Sequence, residues 1–185
     1  MTPGDRPRPA SSGPSPTEFP GNAVRVLVAG VGNLFLRDDG FGPEVAGRLA
    51  AEAVPAGRDV RVVDYGIRGM HLAYDLLGGV DVLVIVDAVP PDAPGKAVPG
   101  SLRVMRVRSE DLHGAASLDP HGMDPAAVLG RLRSLGGELP LTYVVGCVPA
   151  DVTEGIGLSA PVAAAVPEAI AVVGSLLEQH VPITP

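Results

Sequence analysis

The sequence predicts an α/β fold: three layers, with a mostly parallel, twisted sheet of about five strands flanked by helices on both faces. Two observations carry this. Apolar runs of strand length alternate along the chain with stretches of helical spacing. Runs such as Val82-Leu-Val-Ile-Val86 are apolar at every position, as strands are when helices cover both faces of a parallel sheet.

The elements follow in order. Residues 1–22 are Pro, Ser and Gly with scattered charges and too little apolar surface to offset the entropy of ordering, so a disordered tail is expected. Residues 23–182 are expected to form one domain. The strands are AVRVLVAG, VRVVDYG, VDVLVIVDAV, SLRVMRV and LTYVVGCVP. In SLRVMRV charged and apolar residues alternate, which predicts a strand nearer the edge, antiparallel to its neighbour. The first helix should begin near Phe41, with Pro43 tolerated in a first turn that lacks internal acceptors. GMHLAYDLL is a short amphipathic helix, and DPAAVLGRLRSL a third, with Asp124 at the N-cap and Pro125 at the first helical position. The last helix should run from Ser159 to about Gln179, kinked or restarted at Pro167. The Pro-rich segment 90–100 reads as a surface loop.

Composition excludes several classes of function. Among 185 residues, 21 acids outnumber 14 Lys and Arg, a formal charge of −7 without clustered cations, so no nucleic-acid partner is expected. There is no secretory h-region and no uninterrupted apolar run of the roughly 20 residues that a bilayer span needs. The protein is therefore expected in the cytoplasm, away from membranes. The one cysteine, Cys147, lies in an apolar run, reads as a small buried hydrophobe and is given no role.

The first strand ends in Gly30-Val31-Gly32-Asn33, the setting of a dinucleotide-binding loop, and Asp64 ends the second strand as a ribose-binding acid would. The fingerprint fails at its third glycine, where Phe35 stands, and Asp38 and Asp39 would meet a pyrophosphate with negative charge. Nucleotide binding is set aside. A turn followed by a helix cap explains Asp38-Asp39-Gly40 more simply, except that one cap needs only one carboxylate.

Loops leaving the carboxyl ends of parallel strands share one edge of a sheet, which puts Asp39 and Asp87 on a common rim. An acid ending so apolar a strand as Val80–Asp87 needs a hydrogen-bond or metal partner, although capping of nearby backbone would also serve. His121, just ahead of the third helix, can reach the same rim, whereas His71, His113 and His180 lie in more ordinary polar settings. Two carboxylates and an imidazole suit a divalent first-row metal with open positions, such as nickel or zinc; a solvated loop histidine is the plain alternative.

Taken in order, the segments GVGNLFLRDDGFG (30–42), DYGIRGM (64–70), VDAV (86–89), DPHG (119–122), VGCVP (145–149) and GIGLS (155–159) resemble the hydrogenase maturation proteases. The resemblance spans residues 24 to about 180. It departs from the family at Leu118-Asp119-Pro120, where a serine usually stands near the histidine. The resemblance implies an endopeptidase that removes a short C-terminal extension from the large-subunit precursor of a nickel-iron hydrogenase after nickel insertion. It also implies that two acids and a histidine, here Asp39, Asp87 and His121, coordinate metal. The nickel would be carried by the substrate, with no permanently bound cofactor. Asp39 or Asp38 would activate water, and Gly32, Asn33, Asp38, Gly66 and Gly69 would line the path of the substrate tail. A checkpoint protein that binds the nickel-loaded precursor without cutting it is the alternative.

Overall fold

A computed structural model describes residues 24–52, 59–91, 98–114 and 125–180. The N-terminal segment 1–22, Asp124 and His121 lie outside them.

Among the described residues, five strands form one sheet: β1 (Val26–Val31), β2 (Val60–Gly66), β3 (Val82–Ala88), β4 (Leu102–Val107) and β5 (Leu141–Cys147). Their spatial order is β2-β1-β3-β5-β4. β1 pairs in parallel with β2 and β3, and β3 with β5; only β4 runs antiparallel, on the outer edge of β5. The all-apolar strands β1 and β3 take the central positions and are buried along nearly their whole length, while Val104 and Met105 of the alternating β4 are exposed. The expected fold class is thus the observed one.

Among the described residues, four α-helices complete the layers: α1 (Phe41–Ala51), α2 (Gly69–Leu77), α3 (Pro125–Ser134) and α4 (Ala160–His180). Strand side chains alternate between faces, and the core divides accordingly. Leu27, Ala29, Leu83 and Ile85 pack with Leu72 and Leu76 of α2 and Leu129 and Leu132 of α3. Val28, Val84, Val86 and Val145 pack with Phe41 and Val45 of α1 and with α4.

The structure bears on two expectations about α4. The helix does not restart at Pro167 but runs unbroken for 21 residues. Pro167 is exposed, and so is Ala163, whose carbonyl loses its helical partner; water can satisfy that acceptor. α4 also meets the length and composition of a membrane span, with a mean hydropathy of 1.8 over its most apolar window. Its inward stripe, Val162, Val166, Ala169 and Val173, is nonetheless packed on the sheet, as in a core helix.

Candidate functional site

The carboxyl end of β1 makes a bend that leaves no room for side chains. A Cβ on Gly30 would lie 2.4 Å from the Gly42 carbonyl oxygen, and one on Gly42 would lie 2.2 Å from the carbonyl oxygens of both Val31 and Val86. The start of α1 therefore rests directly on the backbones of β1 and β3. Gly32, at φ +135°, would place a Cβ 1.9 Å from the Asp39 carbonyl oxygen. Only glycine permits that left-handed, close-packed turn, which folds residues 33–40 back over the sheet edge and packs the short 3-10 turn Arg37–Gly40 against β3.

The two adjacent aspartates on this turn have opposite surroundings. Asp38 is fully buried, and its carboxylate accepts four hydrogen bonds from a segment more than 110 residues away. Ala150 N–H and Asp151 N–H donate to Oδ2 at 2.8 and 3.0 Å, Ser159 N–H to Oδ1 at 2.6 Å, and the Ser159 hydroxyl to Oδ2 at 2.9 Å. Burial works to raise the pKa of this acid, but the amides of Ser159, Asp151 and Ala150 and the Ser159 hydroxyl outweigh it and hold the group below its ordinary value. Asp39 is only partly buried and, among the described residues, takes one donated bond, from Asn33 N–H to Oδ2 at 2.7 Å. The helix-cap expectation is corrected here, for α1 begins with no side-chain cap.

Asn33 also accepts Phe35 N–H on its own Oδ1 at 3.0 Å, so it organises the turn from both ends. The turn is tied to the 150–159 loop by main-chain bonds as well. Arg37 N–H donates to Gly155 O at 3.1 Å, Gly155 N–H to Phe35 O at 2.9 Å, and Asp38 N–H to Asp151 O at 3.1 Å, with Leu36 and Gly155 bridged in parallel. Arg37 sits at φ +48°, a strained conformation for a residue with a Cβ, and its guanidinium pairs with Asp151 at 3.2 Å.

Asp87 lies at the end of β3 and is 7% exposed. Since Val84 and Val86 face α1 and α4 whereas Leu83, Ile85 and Val89 face α2 and α3, alternation puts Asp87 on the α2/α3 face. The contact of Gly42 with Val86 O brings the Asp39 turn and the Asp87 end of β3 together at one edge. His121, the third expected ligand, lies outside the described residues, among which no three metal-binding side chains converge.

The remaining expected contacts are placed as follows. Gly32 and Asn33 shape the Asp39 turn, and Asp38 faces inward with no exposed surface, so the geometry gives all three a supporting place behind Asp39. Gly66, at φ +51°, ends β2 and accepts Gly32 N–H at 3.2 Å, and a Cβ added there would lie in ordinary contact, 3.6 Å, with Asp64 Oδ1 and Gly32 O. Gly69 is buried at the first position of α2. Arg68 folds back onto the carbonyls of Asp64 and Tyr65, fixing the turn between β2 and α2. Cys147 is buried, and burial first, then the nearby Asp38 charge, pushes its thiol up to about 11, so it offers no nucleophile.

Comparison with known proteins identifies the family. A family profile described as hydrogenase maturation protease matches residues 43–175, most of the chain and inclusive of Asp87 and His121. The chain belongs to the hydrogenase maturation protease family. It is 30% identical over 163 residues to the hydrogenase 2 maturation protease of Escherichia coli K12, covering 88% of this chain and 96% of that one. Its fold is similar to that of the hydrogenase maturating endopeptidase HybD from E. coli, with a TM-score of 0.69, 31% identity and coverage of 84% of this chain and 93% of that one. It is also similar to the hydrogenase 2 maturation peptidase of a Thaumarchaeota archaeon, with a TM-score of 0.61, 32% identity and coverage of 83% and 97%. As a hydrogenase maturation protease the chain falls in a peptidase class.

Proposed function

We propose that this protein is an endopeptidase of the cytoplasm that removes the C-terminal extension of a nickel-iron hydrogenase large-subunit precursor once nickel has been inserted. The observation that carries the reading is the unequal pair at the end of β1. Asp38 is saturated by loop donors, which leaves the neighbouring, partly exposed Asp39 with ligand capacity at the edge where Asp87 ends β3. Asp87 lies on the face that α3 covers, and α3 begins four residues after His121, at most about 14 Å of extended chain. That short link to α3 supports a reading in which His121 joins the two acids.

Asp39, Asp87 and His121 take open positions on the nickel that the precursor carries, and the protein needs no metal of its own. Docking through the substrate's metal fixes the scissile peptide against the edge, so that specificity and positioning come from one interaction. Asp39 accepts a proton from water as that water attacks the scissile carbonyl, and the proton passes to the departing amine. Asp38 is excluded from that task because every donor around it favours the charged, already bonded carboxylate. Gly66 and Gly69, which end β2 and start α2, leave backbone without side chains for the tail to pass.

The deciding experiment is incubation with nickel-loaded and nickel-free precursor, read by intact mass. Loss of a C-terminal peptide from the loaded form alone is expected, abolished by Asp39→Asn and by His121→Ala. Undiminished processing by both variants would sink the site assignment. A stable complex with no mass change would make the protein a checkpoint instead of a peptidase.

A further inference from the structure

The two most exposed large apolar side chains among the described residues are Ile156 and Phe35, at 79% and 68%. They belong to the two segments that the Gly155–Phe35 main-chain bond and the Leu36–Gly155 bridge hold together. Leu34 and Val152, each about half exposed, extend the same two segments. Surface loops are ordinarily more mobile than the elements they connect. Here the opposite holds. The backbone beneath them is fixed by the main-chain bonds, by the four hydrogen bonds to Asp38 and by the Arg37–Asp151 pair, and it keeps Arg37 in a strained conformation. Strain maintained by so many restraints, under apolar groups left in water, indicates a surface preformed for something that covers it.

We infer that Phe35 and Ile156, with Leu34 and Val152 beside them, form an apolar recognition wall for the precursor segment leading to the scissile bond, a stretch of extended chain with apolar side chains. The inference rests on the proposed peptidase reading and names the surface that reading lacks. Continuity selects this occupant over a second copy of the chain. Phe35 is four residues from Asp39 on one turn, and the clamp that fixes the wall is the side chain adjacent to Asp39. A tail placed on the wall is therefore delivered to the carboxylate edge. Asp38 acts as a positioning residue: it holds the 150–159 half of the wall in register with the Asp39 half.

The test is steady-state processing of nickel-loaded precursor by the full-length protein and by Phe35→Ser, Ile156→Ser and Phe35→Leu, with Val104→Ser on the distant edge strand β4 as control. Because both wall side chains project into water, thermal unfolding should be unchanged. KM should rise roughly tenfold for each serine variant, the scale of losing one buried large apolar side chain, with kcat retained. Phe35→Leu should recover most of the loss, and Val104→Ser should match wild type. A KM within twofold of wild type for both serine variants, under conditions where wild type cleaves, overturns the wall and leaves the peptidase reading intact. If wild type does not cleave, that reading falls, and equal precursor affinity of wild type and serine variants overturns the wall as well. Wild-type dimerisation that the serine variants abolish, with KM unmoved, assigns the surface to a second copy and also overturns the inference.

Discussion

Replacement of Gly42 by alanine offers the sharpest test of how the edge is built. The added methyl would lie 2.2 Å from the carbonyl oxygens of Val31 and Val86 and 2.7 Å from Val31 N. All three atoms are backbone of the central strands β1 and β3, so no rotamer change can relieve the overlap, and α1 must lift from the sheet. Overpacking in a core typically costs about 1–3 kcal/mol, and rigid neighbours put this case near the upper end. For a chain of this size about 3 kcal/mol corresponds to a Tm lower by roughly 6–12 °C. Gly47 supplies an internal control one and a half turns further along the same helix, since a Cβ there meets nothing within 4 Å. Gly47→Ala should stabilise by roughly 0.5–1 kcal/mol through the helix propensity it restores. Thermal and urea unfolding followed by circular dichroism reads both variants. Gly42→Ala should also slow precursor processing, because the lifted helix carries the Asp39 turn with it. A Tm for Gly42→Ala within about 1 °C of wild type, alongside the expected gain for Gly47→Ala, would refute the close-packing argument.

Three further outcomes are expected. Asp38 is held below its ordinary pKa in the folded chain, so its contribution to stability is complete above the unfolded value of about 4 and is lost as pH falls through the lower folded value. Urea midpoints should therefore hold from pH 7 to 5 and drop below pH 4, and Asp38→Asn should show a shallower acid loss; parallel curves would contradict this. Tyr65, almost fully buried, donates to Asp75 Oδ2 at 2.6 Å, and Tyr65→Phe should cost about 1.5–2 kcal/mol in urea denaturation because a buried partner of a carboxylate is lost. A loss below about 0.5 kcal/mol would show that water replaces the bond. Cys147→Ala should process precursor normally, and iodoacetamide at neutral pH should leave wild-type activity intact; inhibition by alkylation would mean that the thiol is reachable.

The parts of the fold legible in the sequence are those fixed by local pattern. β1 and β3 are apolar throughout because both faces are covered, and α2 was bounded at Gly69 and Leu77 by its own amphipathic spacing. The antiparallel edge position of β4 followed from its alternation. What could not be read depends on contacts distant along the chain. Nothing near Arg37 signals its left-handed backbone, which exists because Gly155 and Asp151 hold it. The 150–159 loop stood out only as GIGLS within the family resemblance, and its part in building the edge emerges from Ser159 reaching back to Asp38. The apolarity of α4 is deceptive for a related reason: hydropathy counts residues on every side of a helix, whereas the sheet buries only one stripe of them.

The adjacent aspartates draw these threads together. Read locally, Asp38-Asp39-Gly40 suggests a cap for the helix that follows, and one carboxylate is then surplus. In the folded chain there is a capping acid, but the helix it serves is α4. Ser159 precedes Ala160, its carbonyl accepts the Ala163 N–H at 2.8 Å, and Asp38 accepts its N–H, as the acid of a capping box does. The negative charge thus sits at the positive end of a 21-residue helix whose first turn has no acid of its own. This is why the pair cannot be exchanged. Moving the acid from position 38 to 39 leaves the α4 terminus and the recognition wall without a clamp, while moving it from 39 to 38 leaves the edge without its exposed ligand. The single variants should therefore show distinct defects: Asp38→Asn loses α4 stability and raises KM through the unclamped wall, whereas Asp39→Asn loses turnover. Asp39→Asn alone should unfold with the wild-type profile. An Asp39→Asn protein as destabilised as Asp38→Asn would mean that the two acids share one structural task, and the division of labour at this edge would have to be abandoned.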